Sequence, residues 1–390
     1  MAQGRSRLAA PLILGFFVLG GSRTPASAKV VFTGYGDFQA AAQSHFRILG
    51  PDNVLSSLGA GQGEIEGRGA TIDSLGLFAT TQMTDATRLA MDVTYRDIGN
   101  NTKTLRVQYA YIEHQAYGGQ VRAGKILLPF GYYNENRFYP FQRPSISAPF
   151  FQSSILGLPI SDIGASANKT FELGDATLRA DVYGVNGFGP VPGSSQTFRN
   201  ASVAGGLVLA NNVTSVDTNH RVALGGRLEL GGKNLGDSVV GVSYYRDQWR
   251  PDGGGLFQMA GAHVHAAARG FDLLVEYLML IANGDLGMVA NFGSRDWRTN
   301  GAFATLEYDR WSVLEHRVTP WVRCEEYLTH GGGGGREAAR ELAGGFSVQA
   351  NEYVAIKLEA DDLYYRLPYQ DKGDVKLIGY EINSGLAVTF

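Results

Sequence analysis

The sequence predicts an all-β fold, a transmembrane antiparallel β-barrel of 16 strands with 18 as the alternative count, and three observations carry that reading. The stretch from Lys376 to Phe390 alternates strictly: Tyr380, Ile382, Leu386, Val388 and Phe390 share one face, and Gly379, Glu381, Asn383, Gly385 and Thr389 the other. That period marks a half-buried strand, and a strand closing a barrel leaves no bare edge to pair with other chains. Alternating segments of about ten residues also recur along the chain, joined by connections that run short, then long. Finally, no apolar run of ~18 residues follows the first 28, which excludes a helical membrane protein. The 52 glycines and 19 tyrosines suit a barrel in which only alternate residues meet lipid.

Met1 to Ala28 reads as a secretory signal: Arg5 and Arg7, an apolar stretch from Leu8 to Gly21 too short to span a bilayer, and the small-residue site Ala26-Ser27-Ala28. Residues 29–390 are then one barrel domain, since no proline-rich linker or charge block divides them. Without Arg5, Arg7 and Arg23 the basic residues fall from 34 to 31 against 37 acidic ones, a formal charge of −6. This excludes a broadly basic surface for nucleic acid. The single cysteine, Cys324, excludes an internal disulfide framework.

The expected strands begin with Phe32–Ala41, then Ile72–Thr80, Arg88–Asp97, Thr104–His114 and Gln120–Leu128. Leu89, Met91, Val93 and Tyr95 share a face on the third, and Leu105, Val107, Tyr109 and Tyr111 on the fourth. Later strands are Ser161–Phe171, Ala176–Asn186, Arg221–Leu230, Ser238–Gln248, Phe257–Arg269, Phe271–Ala282, Thr299–Asp309, Val318–Leu328, Glu341–Ala350, Tyr353–Tyr365 and Lys376–Phe390. Gly118-Gly119, Arg269-Gly270 and Asn351-Glu352 are tight turns. The apolar run Val203–Ala210 reads as a local hairpin; promoted to two strands, it gives the count of 18.

The rhythm breaks after the fifth strand. Pro129 to Ile160 is a 32-residue connection whose five prolines forbid one regular element across it. Its eight aromatics argue against disorder. Phe130, Phe138, Phe141, Phe150 and Phe151 need burial, and the barrel interior is the available place, so the loop is expected to fold inward.

Two resemblances add to this. Asn383, Gly385, Val388 and Phe390 resemble the terminal assembly signal of bacterial outer-membrane barrels, which implies recognition by the barrel-assembly machinery. The whole resembles the general porins and, through FTGYGDFQ near the amino terminus and VRAGKILLPFGYYNE (Val121 to Glu135), the phosphate-selective porin O/P-like family. In general porins the loop after the fifth strand folds inward and narrows the pore. The resemblance implies an outer-membrane porin in lipid, a homotrimer, and passive diffusion of small hydrophilic solutes or ions.

On the loop, Glu135, Arg137 and Arg143 are the ionisable groups expected at the constriction, beside Asn134 and Asn136. By parity the lumen faces carry Arg96, Arg106, Arg179 and Arg227 on earlier strands and Asp272, Glu276, Glu307, Glu325, Glu359 and Glu381 on later ones. Such walls set up a transverse field, unless each charge is paired with a neighbour. Mixed lumen charge argues against carrying over anion selectivity, so weak ion preference is expected. His263 and His265 share the lumen face of one strand at a spacing that chelates metal, but no carboxylate stands at a ligand spacing; hydrated histidines are the plainer reading, and no cofactor is expected. Cys324 should face lipid. An outer-membrane hydrolase using His45, His220 or His330, with Ser215 or Asp217 nearby, lacks a motif. A scaffold barrel around a periplasmic partner is the other alternative to the porin, and the chain has no haem motif of its own.

Overall fold

The computed structural model describes residues 30–51, 63–98, 102–149, 160–187, 221–232, 238–248, 255–283, 296–331, 336–368 and 374–390. The signal segment and Val203–Ala210 lie outside them, as do Phe150, Phe151, His220, Ser215 and Asp217.

The strands are β1 (Val30–Leu49), β2 (Gly63–Thr84), β3 (Thr87–Ile98), β4 (Thr102–Ala116), β5 (Gly119–Leu127), β6 (Ser161–Leu173), β7 (Ala176–Val185), β8 (Ala223–Gly232) and β9 (Val239–Gln248). They continue as β10 (Leu256–Ala268), β11 (Phe271–Asn283), β12 (Asp296–Tyr308), β13 (Trp311–Val313), β14 (His316–Gly331), β15 (Arg336–Asn351), β16 (Val354–Pro368) and β17 (Asp374–Thr389). All pair antiparallel with their neighbours, and β1 pairs with both β2 and β17, which closes the barrel. β12 and β13 lie one after the other along β14 and form one interrupted stave, so among the described residues the 17 segments make 16 staves. β7 pairs directly with β8.

Alternation decides which side chains meet lipid. On β9, Val240, Val242 and Tyr244 are exposed outward while Gly241, Ser243 and Tyr245 are buried inward. On β14, Val322 and Cys324 face out between inward Trp321, Arg323 and Glu325. Six two-residue turns, at 85–86, 117–118, 174–175, 269–270, 314–315 and 352–353, all lie at the barrel end that carries Val30 and Phe390. Exposed Phe32, Phe171, Phe271, Trp311 and Phe390 ring the same end, where aromatic side chains suit the boundary between hydrocarbon and water.

Three expectations need correcting. Strands run well past their apolar cores: β1 has 20 residues and β2 has 22, whereas ~9–11 residues cross a bilayer. The polar extensions Arg47, Glu64 and Arg68 read as loop because paired strands beyond the lipid need no apolar face. Second, a bulge sets Asp92 opposite Tyr109 but Val93 opposite Val107. Parity flips there, so Leu105 and Val107 face out while Tyr109 and Tyr111 pack inward. Third, the turns of two hairpins are Tyr117-Gly118 and Glu352-Tyr353, each displaced by one residue from expectation.

Candidate functional site

The connection between β5 and β6 is built on Asn134. Leu128 N donates to Ile160 O at 2.9 Å, bringing the two ends of the loop together. The Asn134 amide then donates to both Leu128 O (2.9 Å) and Ile160 O (3.0 Å), and its carbonyl accepts from Ile160 N at 2.9 Å. Asn134 sits in a one-turn helix, α1 (Tyr133–Asn136), between Pro129 and Pro140, and a 3-10 turn follows at Pro140–Gln142 with Pro140 at its first position, where a proline is tolerated. Phe130 and Phe138 are buried as expected, and Tyr133, Tyr139 and Ile146 are buried with them, but Phe141 stays 39% exposed and lines a chamber at the barrel's short-turn end.

From this base the described residues of the loop, 129–149, lie inside the barrel against inward-facing side chains from most of its circumference. Gly131 holds φ +67°, and a Cβ there would collide with the Glu276 carboxylate; glycine meets both demands. Ser243 Oγ accepts from Gly131 N (3.0 Å), and Glu276 accepts from Tyr132 N (3.2 Å) and Tyr133 N (3.1 Å). Glu135 meets Arg227 at 2.6 Å, Arg122 at 3.4 Å and Arg179 at 3.9 Å. Burial alone pushes the Glu135 carboxyl up, but these three guanidiniums outweigh it and hold it below the ordinary carboxylate value. Arg137 pairs with Asp272 (2.9 Å) and Glu307 (3.2 Å). Tyr139 OH donates to Asp92 at 2.6 Å.

The far end of the loop is tied to β14 and β16. Lys357, 1% exposed, donates to the carbonyls of Pro140 (2.5 Å), Arg143 (2.9 Å) and Ser145 (3.0 Å). Glu359 accepts from the backbone N–H groups of Ile146 and Ser147 and from Ser147 Oγ. Arg323 donates to Ser147 O at 3.1 Å and pairs with Glu325 (3.3 Å) and Glu341. Arg143 turns back into its own loop, donating to Arg137 O, Phe138 O and Ile146 O.

The loop residues Glu135 and Arg137 thus meet Arg179, Arg227, Asp272 and Glu307 of the wall, while Glu276 and Glu359 hold loop backbone. Arg106 faces inward on β4 away from these contacts, and the Arg96 side chain lies outside the described residues. Sequence reasoning missed Asp181, Glu229, Arg323 and Lys357. Each stands two residues from a group it singled out, on the same face, and so was legible by parity. Asp181 and Glu229 pair with Arg227 (3.2 and 3.5 Å), so the wall expected to be basic is mixed, as is the acidic one with Arg323 and Lys357. His263 meets Glu229 at 3.1 Å and His265 meets Asp272 at 3.0 Å, with Tyr132 stacked on His265. These histidines, buried rather than hydrated, belong to the hydrogen-bonded network around the loop, and among the described residues no cluster has the makings of a metal site.

No protein-family model matches the chain, and no curated protein does. Solved structures do. An anion-selective porin from Comamonas acidovorans superposes with a TM-score of 0.58 at 12% identity, over 93% of this chain and 100% of that one. The fold is the porin fold. The outer-membrane channel DcaP of Acinetobacter baumannii gives 0.56 at 13% identity, over 95% and 100% of the two chains. A trimer form of OmpT, an outer-membrane protein of Vibrio cholerae, gives 0.50 at 11% over 93% and 99%. At such identities the likeness concerns the path of the porin chain, and the side chains of the loop network are this protein's own.

Proposed function

We propose that the chain is a passive diffusion channel of the bacterial outer membrane for small hydrophilic solutes or ions, narrowed by the 129–160 loop. The observation that carries this reading is the loop itself. Its described residues, 129–149, lie across a barrel too wide for strand side chains to fill, fastened by Glu135 and Arg137 to opposing charges of the wall. Glu135, Arg137 and Arg143 are the charges a passing solute meets, the first two largely neutralised by partners, which supports weak ion preference. Export through a signal cleaved after Ala28, recognition of Asn383, Gly385, Val388 and Phe390 by the barrel-assembly machinery, and assembly as a homotrimer in outer-membrane lipid complete the reading.

Single-channel recording in planar bilayers tests it, with the wild type beside a variant lacking Tyr132 to Ser147. Discrete steps that grow in the deletion are the expected result. Well-folded protein that gives no steps overturns the channel, and steps of unchanged size overturn the constriction. The double substitution Glu135→Gln and Arg137→Gln provides the same comparison should the deletion fail to fold.

A further inference from the structure

On the short-turn side of the loop, residues 141–144 and the β14–β17 wall enclose a recess of about 310 Å³. The wall is short-sided here: Ala355 pairs with Ala387 across β16 and β17, and Ser347 adds a third small side chain from β15. Lys357, the next inward residue on β16, reaches the carbonyls of Pro140, Arg143 and Ser145 and holds the loop above these short side chains. The cations around the recess are already engaged. Arg137 pairs with Asp272 and Glu307, Arg317 with Asp309 at 3.6 Å, and Arg143 and Lys357 with loop carbonyls. An anion would have to displace a carboxylate or a carbonyl to reach one of them. A cation finds on the open side only Glu352, on an exposed turn where an ion pair contributes little.

The groups left to meet a solute are uncharged. The hydroxyls of Thr319, Ser347 and Thr389 and the carboxamide N–H of Gln142 make no hydrogen bond within the described protein, whereas the Gln142 carbonyl accepts from Tyr139 N. The Phe141 ring stacks on Tyr139, 5.4 Å away and 13° from parallel, yet keeps 39% of its surface open. A flat apolar face ringed by hydroxyl and amide groups matches a pyranose, which carries an apolar C–H face and a rim of hydroxyls. We infer that the recess is a binding subsite for a neutral sugar ring, which lays its C–H face on Phe141 and offers its hydroxyls to Gln142, Thr319, Ser347 and Thr389. This names a class of solute for the proposed channel, and it rests on that reading for placing the subsite on the solute's path.

Saturation-transfer NMR on folded protein, in a zwitterionic detergent without a sugar headgroup, reads the binding without requiring conduction. The probes are glucose, its open-chain counterpart sorbitol, and the charged rings glucuronate and glucosamine. Wild type is expected to bind glucose, with transfer strongest to the C–H protons of one ring face, and to bind the other three at least ~3-fold more weakly. Phe141→Leu keeps apolar bulk and loses the flat face. Ala355→Leu fills the recess from a wall position that fastens nothing in the loop, so it tests the site independently of the loop's packing. Each is expected to weaken glucose binding at least ~3-fold. No transfer to glucose, equal affinity for sorbitol, tighter binding of either charged ring, or an affinity untouched by both variants overturns the subsite, and the channel still stands if the protein conducts. Protein that binds glucose but gives no conductance steps overturns the channel and leaves the subsite.

Discussion

The Nη2 of Arg227 lies 2.6 Å from Oε2 of Glu135, joining β8 to the one-turn helix of the inward loop. Arg227 is 2% exposed and also faces Asp181 and Glu229, and it donates to Gly131 O at 2.8 Å. One guanidinium therefore holds three carboxylates and a backbone carbonyl. Replacing it with methionine leaves those acids facing one another in a confined space, a loss on the order of 3–5 kcal/mol. Glu135→Gln keeps the guanidinium with two partners and costs about 1–3 kcal/mol. Heat-dependent unfolding in detergent should rank wild type above Glu135→Gln above Arg227→Met. Equal midpoints for the two variants would remove Arg227 from the centre of the network.

Acid should release Glu135 late. Its carboxyl is held below the ordinary value of 4.5, so its contribution is complete above that value and is lost as pH falls through the depressed one. The stability difference between wild type and Glu135→Gln, which isolates this carboxyl, is therefore expected to stay flat from about pH 7 to about pH 5 and to shrink only below the ordinary carboxylate range. Unfolding midpoints of the two proteins recorded as a function of pH check this, and a difference already lost at about pH 5 would show that the three arginines do not outweigh burial.

Lys357 serves the loop through its hydrogen bonds as much as its charge. Its Nζ answers the carbonyls of Pro140, Arg143 and Ser145, none of which continues a strand. Lys357→Met keeps the length of the side chain and orphans these acceptors, at roughly 1–3 kcal/mol for a buried group left unsatisfied. Proteolysis within residues 140–147 of folded, detergent-solubilised protein should then accelerate, with the barrel intact. Cleavage at the wild-type rate would mean that Glu359 and Arg323 hold this end without the lysine.

The staves and their order were legible because lipid imposes a period of two on every spanning segment: Val240, Val242 and Tyr244 announce their strand. What lies beyond the lipid was not. Arg47 and Glu64 pair across β1 and β2 in water, where no apolar face is required. The bulge at Tyr109 adds one residue without any turn-forming side chain, so parity counted from Leu105 misplaced Tyr109 and Tyr111. Leu314-Glu315 forms a tight turn with φ of 49° and 68°, although neither residue favours that conformation, and the sequence carried no mark of it. The loop's place inside the barrel was readable from its aromatics. Its clasp was not, because Asn134 works by meeting Leu128 and Ile160 at once, and a meeting of residues distant in the chain leaves no local pattern.

Closure of the barrel joins Phe390 to Gly34. Gly34 N donates to Phe390 O at 2.6 Å, Phe390 N donates back to Gly34 O at 2.9 Å, and the phenylalanine ring lies where a Cβ on Gly34 would be. The ring itself is 73% exposed, so its removal costs the folded barrel little. Valine at position 34 would displace the ring and strain the final pairing. These separate two roles that the terminal residue combines. Refolded from urea into detergent, Phe390→Ala should reach the wild-type yield while Gly34→Val falls short. In cells, the proposed reading of the terminal residue by the assembly machinery predicts that Phe390→Ala reaches the outer membrane poorly despite that competence, since the barrel's own contacts survive. Normal accumulation of Phe390→Ala would make the aromatic terminus a packing feature only.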